Sequence, residues 1–406
     1  MMMANGIVIE KGSTIVLAIN ICFFAYLFFL NTVKNPYLLK FSLIYLYLLF
    51  ILILILNSST EYFDSLKMFA KYSIALMSFP AGFLVVRGDD GYRNLLRLAI
   101  IFVSLFLINY IISTIFHLGG ANVSYGGETS VETGNLFDEA LYLNIVVMAM
   151  VPFFMLTSHR LNLVELLLII ASIAVTIVCM KRMVLLCIAI ILLLYSLLSF
   201  LLNYRYGKLT FMKRRIRLSL ATKFLIILAV IVLAFSYSDI LRDQINARSN
   251  ELARRFEEET RFEEMAAIYE DFYNETGSTA LWGKETFNTV GTYAEGHFGD
   301  RMIHTNFGII LNGTGFVGLA FYVIISLYFL WVFFKVFSIK HIKQSLVNRR
   351  LFILYITLWV VYNAASFSGT IWLTIYPAFS FMVMGGILRH FYDLKNNTAD
   401  TTSLLE

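Results

Sequence analysis

Asp300 to Leu319, DRMIHTNFGIILNGTGFVGL, closes the only long polar segment of the chain, Ser238 to His304, and runs directly into an apolar helix. Arg301 and His304 therefore stand where an aqueous loop meets hydrocarbon, a place where ionisable groups are costly unless they act. The glycines that follow, Gly308, Gly313, Gly315 and Gly318, are dense enough to let another helix or a lipid chain come close.

The rest of the chain fits that boundary. Its 406 residues are 59% hydrophobic and 15% charged, with a mean hydropathy of +0.74. Such a chain is too apolar to hide its side chains in soluble cores and reads as a polytopic membrane protein. The net charge of +5 does not indicate nucleic acid, because the basic residues fall in short clusters between apolar runs. Cys22, Cys179 and Cys187 all lie within apolar runs, so they neither staple a loop nor form a zinc site of familiar spacing. The N-terminal MMMANGIVIEKG lacks the features of a removable signal peptide, and the first apolar run is expected to be a retained helix.

Crossing about 30 Å of hydrocarbon takes roughly 20 apolar residues. That yardstick predicts an all-α integral membrane protein of about 11 helices, near 13–32, 38–57, 68–86, 95–116, 138–157, 162–180, 182–202, 222–238, 305–334, 351–367 and 369–388. Lys71 and Pro80 interrupt the third. Placing alternate linkers and the C-terminal tail on one side puts 20 of the 32 Lys and Arg there, against five on the other side outside the long loop. The C-terminus is then cytoplasmic and the long loop external. The expected organisation is an N-terminal bundle over 1–237, a large outer loop over 238–304, C-terminal helices over 305–390 and a tail over 391–406 that looks disordered from Asn396.

Two outer segments stand out. His117 to Glu139 is rich in Gly, Ser, Thr and Asn and reads as an irregular loop. The long loop carries 14 acidic and 7 basic residues, and structureless loops of that length are usually functional. Within it, Asn250 to Asn274 spaces Leu252, Phe256, Phe262, Met265, Ala266, Tyr269, Phe272 and Tyr273 as one face of an amphipathic helix.

Several residues could carry chemistry. Lys181 and Arg182 sit between two apolar runs. They read either as snorkelling anchors of a hairpin or, because positive charge outside opposes the topology bias, as a pyrophosphate site. Arg242, Arg248, Arg254, Arg255, Arg261 and Arg301 alternate with glutamates, as on a solvated helix face. His304 is either a cap or core residue or a base. Arg301, Glu295 and His297 nearby favour the base, since an imidazole with pKa near 6.5 can take a proton from a sugar hydroxyl.

These residues resemble a family. His304-Thr305, nine residues, Gly315, two residues, Gly318 is similar to the signature of the O-antigen ligase and polymerase superfamily. There a His followed by Asn, Ser or Gln precedes nine residues, Gly, two residues, and Gly, Thr or Tyr. Thr305 departs from the usual second residue. Lys181-Arg182-Met183 keeps only the Arg of a Ser-Arg-Gly hairpin motif. Arg261, followed by Trp282-Gly283 in ALWGKETF, resembles the family's Arg and Phe-Gly pattern, and Gly134-Asn135 is also similar.

The resemblance implies a metal-independent glycosyltransferase without cofactor, multi-pass in a bacterial inner membrane, its large loop periplasmic. It would polymerise undecaprenyl-diphosphate-linked repeat units into O-antigen or a related surface polysaccharide. The alternative is a ligase moving the glycan to lipid A core in lipopolysaccharide biosynthesis. His304, Arg182 and Arg261 would be catalytic. Arg248, Arg301, Lys181, Glu295 and His297 would bind substrate, and Gly308, Gly315 and Gly318 would pack the helix at the site. Lipid-linked donor and acceptor, a chain-length regulator and a flippase would be partners. From other classes, a transporter would favour internal repeats and a midplane site, and neither is visible. A non-catalytic scaffold would tolerate loss of His304.

Overall fold

In a computed structural model of the chain, the described residues are 41–58, 62–86, 101, 104, 122–124, 130–132, 182–206, 260–274, 277–284, 286–287, 303, 305–369 and 376–403. They are 93% helical. In chain order they form α1 (Ser42–Ser58), α2 (Tyr62–Val85), strands β1 (Asn122–Ser124) and β2 (Ser130–Glu132), α3 (Arg182–Tyr206), α4 (Thr260–Asn274), α5 (Ser278–Trp282), α6 (Asn306–Val336), α7 (Ile339–Gln344), α8 (Leu346–Ser368) and α9 (Tyr376–Ser403). Ser65–Val85, Asn306–Val336 and Leu346–Phe367 are long and apolar enough to cross a membrane. Helices of this kind mark a membrane protein. Outward faces agree: Trp331 of α6 and, in the shorter apolar helix α3, Leu193 are 57% and 67% exposed, which suits hydrocarbon. The helices expected near 13–32, 138–157, 162–180 and 222–238 lie outside the described residues, and of the one near 95–116 only residues 101 and 104 are described.

Among the described elements the strongest packing is α2 against α9. A Cβ on Gly82 would strike the Met382 carbonyl, and one on Gly385 would strike the Phe79 carbonyl, so the two backbones touch in antiparallel sense. Helix α2 runs from Tyr62 and stays helical through Lys71 and Pro80. Proline removes one helical hydrogen bond, but Phe79 and Phe83 on either side are buried and hold the turn. Phe79 stacks on Phe329 at 4.4 Å, and Phe329 meets Phe381 edge-on at 5.0 Å, tying α2, α6 and α9 into one core.

Helices α6 and α8 are joined by polar rungs. Tyr355 Oη donates to the Phe329 carbonyl at 2.7 Å, and Trp359 Nε1 donates to the Ser326 carbonyl at 2.8 Å. The Tyr322 and Tyr362 hydroxyls meet at 3.0 Å, and Asn306 Nδ2 donates to Ser366 Oγ at 3.1 Å. Phe333 lies flat on Tyr355 at 3.9 Å. Between lipid-facing helices, where apolar side chains gain little from pairing, hydrogen bonds and close contacts supply much of the association.

Two expectations change. The segment expected as an irregular loop contains an antiparallel ladder, with Val123 opposite Val131; pairing of β-branched positions supplies what the sequence pattern did not announce. The last described helix runs from Tyr376, with Pro377 in its first turn, where a missing N–H costs nothing, and residues 370–375 of the span expected from 369 lie outside the described residues. The helix then continues to Ser403 through the stretch expected to be disordered, since no Gly or Pro after Gly386 stops it.

Candidate functional site

The site starts from a break in α6. Gly315 has φ 62° and ψ −167°, which is not helical, so the 31 residues of α6 are two helices joined at a kink. Beyond the kink about 20 residues remain, roughly 30 Å of rise, enough to span the hydrocarbon. That backbone conformation is essentially reserved for glycine. The carbonyls of Asn312 and Gly313 would normally accept from residues 316 and 317; at the kink they accept instead from a segment of the polar region. Lys284 N donates to the Asn312 carbonyl and Thr286 Oγ1 to the Gly313 carbonyl, both at 2.8 Å.

The segment that supplies these donors is α5 and the residues after it. Helix α5 itself lies between Gly277 and Gly283, with φ of 100° and 87°. Gly283 N donates back to the Thr279 carbonyl at 2.8 Å and closes α5. A Cβ on Gly283 would strike the Gly313 carbonyl carbon, and a Cβ on Gly315 would strike the Leu281 carbonyl. Two glycines thus let two backbones meet without side chains between them. Aromatic contacts hold the flanks: Trp282 meets Phe50 of α1 at 6.1 Å, and Phe287 meets Tyr72 of α2 at 5.8 Å. Phe287 is buried with φ 63°, a left-handed conformation that costs a non-glycine residue about 1 kcal/mol or more.

Helix α4 packs on the first turns of α6. Its buried face is Glu264, Ile268 and Phe272, at spacings of four. The sequence pattern placed Tyr269 and Tyr273 on the apolar face, but both are exposed. Residues 250–259 of the expected helix lie outside the described residues. Lys284 Nζ pairs with Asp271 Oδ2 at 3.4 Å and links α4 to the segment after α5. Thr305, buried, is the N-cap of α6: its Oγ1 accepts from Gly308 N at 3.0 Å and donates to Met265 Sδ at 2.9 Å. A Cβ on Gly308 would crowd Thr305 Oγ1 at 2.7 Å and Ile303 Cγ2 at 2.8 Å. Gly318 leaves room for Thr314, whose Oγ1 donates to the Ile310 carbonyl at 2.6 Å.

The residues expected to act are distributed as follows. His304, Arg301, Arg248, Lys181, Glu295 and His297 lie outside the described residues, though Ile303 and Thr305 on either side of His304 are described and buried. Arg182 opens α3 and Arg261 is the second residue of α4; their side chains are likewise outside what is described. The structure does bring together the helix bearing Arg261, the Trp282-Gly283 pair, and Gly308, Gly315 and Gly318. What approaches the glycines is this chain's own α4, α5 and Thr314. Sequence reasoning passed over Lys284, Thr286 and Phe287, whose one visible sign was their place directly after Gly283. Among the described residues no group of three His, Cys, Asp or Glu could hold a metal.

No protein-family model matches the chain, and a search of curated proteins finds no match.

Proposed function

We propose that this protein is a glycosyltransferase that polymerises undecaprenyl-diphosphate-linked oligosaccharide repeats at the outer face of a bacterial inner membrane, with about 11 spans and residues 238–304 outside. The observation that carries the reading is the union of two sequence patterns distant along the chain. The Arg261 helix and the Trp282-Gly283 pair lie against the kinked start of α6, the helix that follows His304 directly.

The chemistry expected of such a site is short. His304 orients or deprotonates the acceptor hydroxyl. Arg182 and Arg261, with Arg248, Arg301 and Lys181 as further donors, take the charge that grows on the leaving diphosphate. Glu295 and His297 contact the sugars. In a partly dry site a fixed guanidinium stabilises that charge more than it would in water, and loss of one such contact slows the reaction on the order of 10²-fold.

The test uses cells lacking the gene, complemented at matched expression with wild type, His304→Ala or Arg261→Ala, with lipid-linked intermediates and surface glycan resolved by size. Single repeats on the acceptor in the null and in both variants are the expected result. Long chains stranded on undecaprenyl diphosphate would mean a ligase. Full-length surface glycan in both variants would refute catalysis at this site.

A further inference from the structure

At the opposite end of α6 and α8 from the kink, the chain gathers positive charge. Between Lys335 and Lys395 there are seven Lys and Arg and one acidic residue, Asp393. Asp393 is engaged by Arg389 at 2.9 Å within α9. Lys340, Lys343 and Lys395 are exposed, as solvated lysines should be. Arg349 and Arg350 are not: they are 2% and 4% exposed in the first two turns of α8.

Two buried arginines adjacent in sequence need compensation. Arg349 Nε donates to the Ile342 carbonyl at 2.7 Å, but its Nη1 is buried without a hydrogen-bond partner. Arg350 makes no hydrogen bond or ion pair among the described residues, and lies near Tyr195 of α3, whose buried hydroxyl is also unpaired. His341 of α7 is buried with Nδ1 unpaired. Its backbone carbonyl is held by Asn348 Nδ2 at 3.3 Å, and Asn348 Oδ1 meets His390 Nε2 at 3.0 Å, so the α7–α8 turn is fixed in place. Ser345 caps α8 by accepting from Asn348 N at 3.4 Å, which puts the positive end of a 23-residue helix beside both arginines.

We propose that the α7–α8 turn binds a phosphate group, held by the guanidinium forks of Arg349 and Arg350 at the N-terminus of α8. The ligand class follows from the donors. A fork of planar N–H groups with no carboxylate bonded to it among the described residues matches phosphate oxygens, and a helix N-terminus adds to the same charge. The phosphate can come from an anionic lipid headgroup in the adjoining leaflet or from the water. The inference is independent of the transferase reading, since it concerns the other end of the helices and a binding step only.

The experiment follows thermal unfolding of the full-length chain in neutral detergent, titrated with dissolved phosphatidylglycerol, with inorganic phosphate, or with diacylglycerol, which has the chains but no phosphate. Three proteins are compared: wild type, Arg349→Met with Arg350→Met, and Lys340→Gln with Lys343→Gln. A saturable rise in midpoint with phosphatidylglycerol alone identifies a headgroup, and a rise with inorganic phosphate identifies a water-borne source. In either case the arginine pair variant should bind at least about tenfold more weakly, and the exposed lysine pair variant less than about threefold. No saturable rise with either phosphate probe, an equal rise with diacylglycerol, or equal weakening by the lysine pair would overturn the proposal. Should the methionine variant fail to fold, Arg349→Lys with Arg350→Lys keeps the charge and removes the fork. About tenfold weaker binding is expected of it, and unchanged binding would overturn the proposal as well.

Discussion

Replacing Gly315 by Ala should detach the α5 segment from α6 while leaving the spanning part of α6 intact. Two costs add at this position. The backbone conformation, φ 62° and ψ −167°, is strained for any L side chain by about 1–3 kcal/mol. The new Cβ would also strike the carbonyl of Leu281, a backbone group that cannot rotate aside. Relief is available if α6 straightens, because the Asn312 and Gly313 carbonyls can then accept within the helix. The bonds from Lys284 N and Thr286 Oγ1 are lost in exchange, at about 1 kcal/mol each. Those bonds are lost on opening in wild type and variant alike, so the shift toward the open state of residues 279–287 is the strain of about 1–3 kcal/mol with the collision added to it, and amide exchange there should accelerate by about 10–10²-fold or more. Hydrogen exchange read by mass spectrometry on the full-length protein in micelles measures this directly. Gly277→Ala is the control: φ is 100° but nothing lies within 4 Å of its Cβ, so it carries strain without collision and should accelerate exchange far less. Exchange over 279–287 within threefold of wild type in Gly315→Ala, or equal acceleration in both variants, would refute the docking argument.

Other perturbations probe single contacts. Thr305→Ala removes the cap on Gly308 N and should destabilise the first turn of α6 by about 1 kcal/mol, seen as faster exchange at 306–309; Thr305→Ser should retain protection. Tyr355→Phe deletes the bond to the Phe329 carbonyl while keeping the stack on Phe333, and denaturant unfolding should report a loss of about 0.5–1.5 kcal/mol. Burial holds the His341 pKa below the ordinary imidazole value, so the folded protein keeps this ring neutral where the unfolded chain would protonate it. Its share of stability is full above about pH 6.5 and declines as pH falls through the lowered value. Wild type should therefore lose stability relative to His341→Gln between pH 7 and pH 5, and parallel pH curves would contradict this.

Much of the helical outline is dictated locally. Runs of about 20 apolar residues form helices wherever they occur, because in hydrocarbon every backbone group must bond within its own segment. For this reason α1, α3, α6 and α8 lie close to where hydropathy puts them. Thr305 ahead of Asn306 and Gly308 announces a helix start for an equally local reason: a hydroxyl can reach the orphan N–H groups of the first turn. The glycines after His304 were visible as sites of close approach.

What came close to them was not visible. The partner of Gly315 is the backbone of Leu281, and that of Gly283 is Gly313, some 30 residues apart in the chain, and no local periodicity encodes such a pairing. At the kink in α6, Lys284 and Thr286 after α5 supply donors to the carbonyls of Asn312 and Gly313. Likewise, α2, which runs through Pro80, touches α9 at Gly82 and Gly385. The rotation of α4 that buries Glu264 and exposes Tyr269 is set by the surface of α6, against its own pattern of apolar residues. Arg349 and Arg350 stand at the polar end of an apolar run in sequence, and only the packing of α3, α7 and α8 around them removes them from water. Hydrogen bonding within a segment is a property of that segment, whereas burial and backbone contact belong to pairs of segments and are settled only when both are in place.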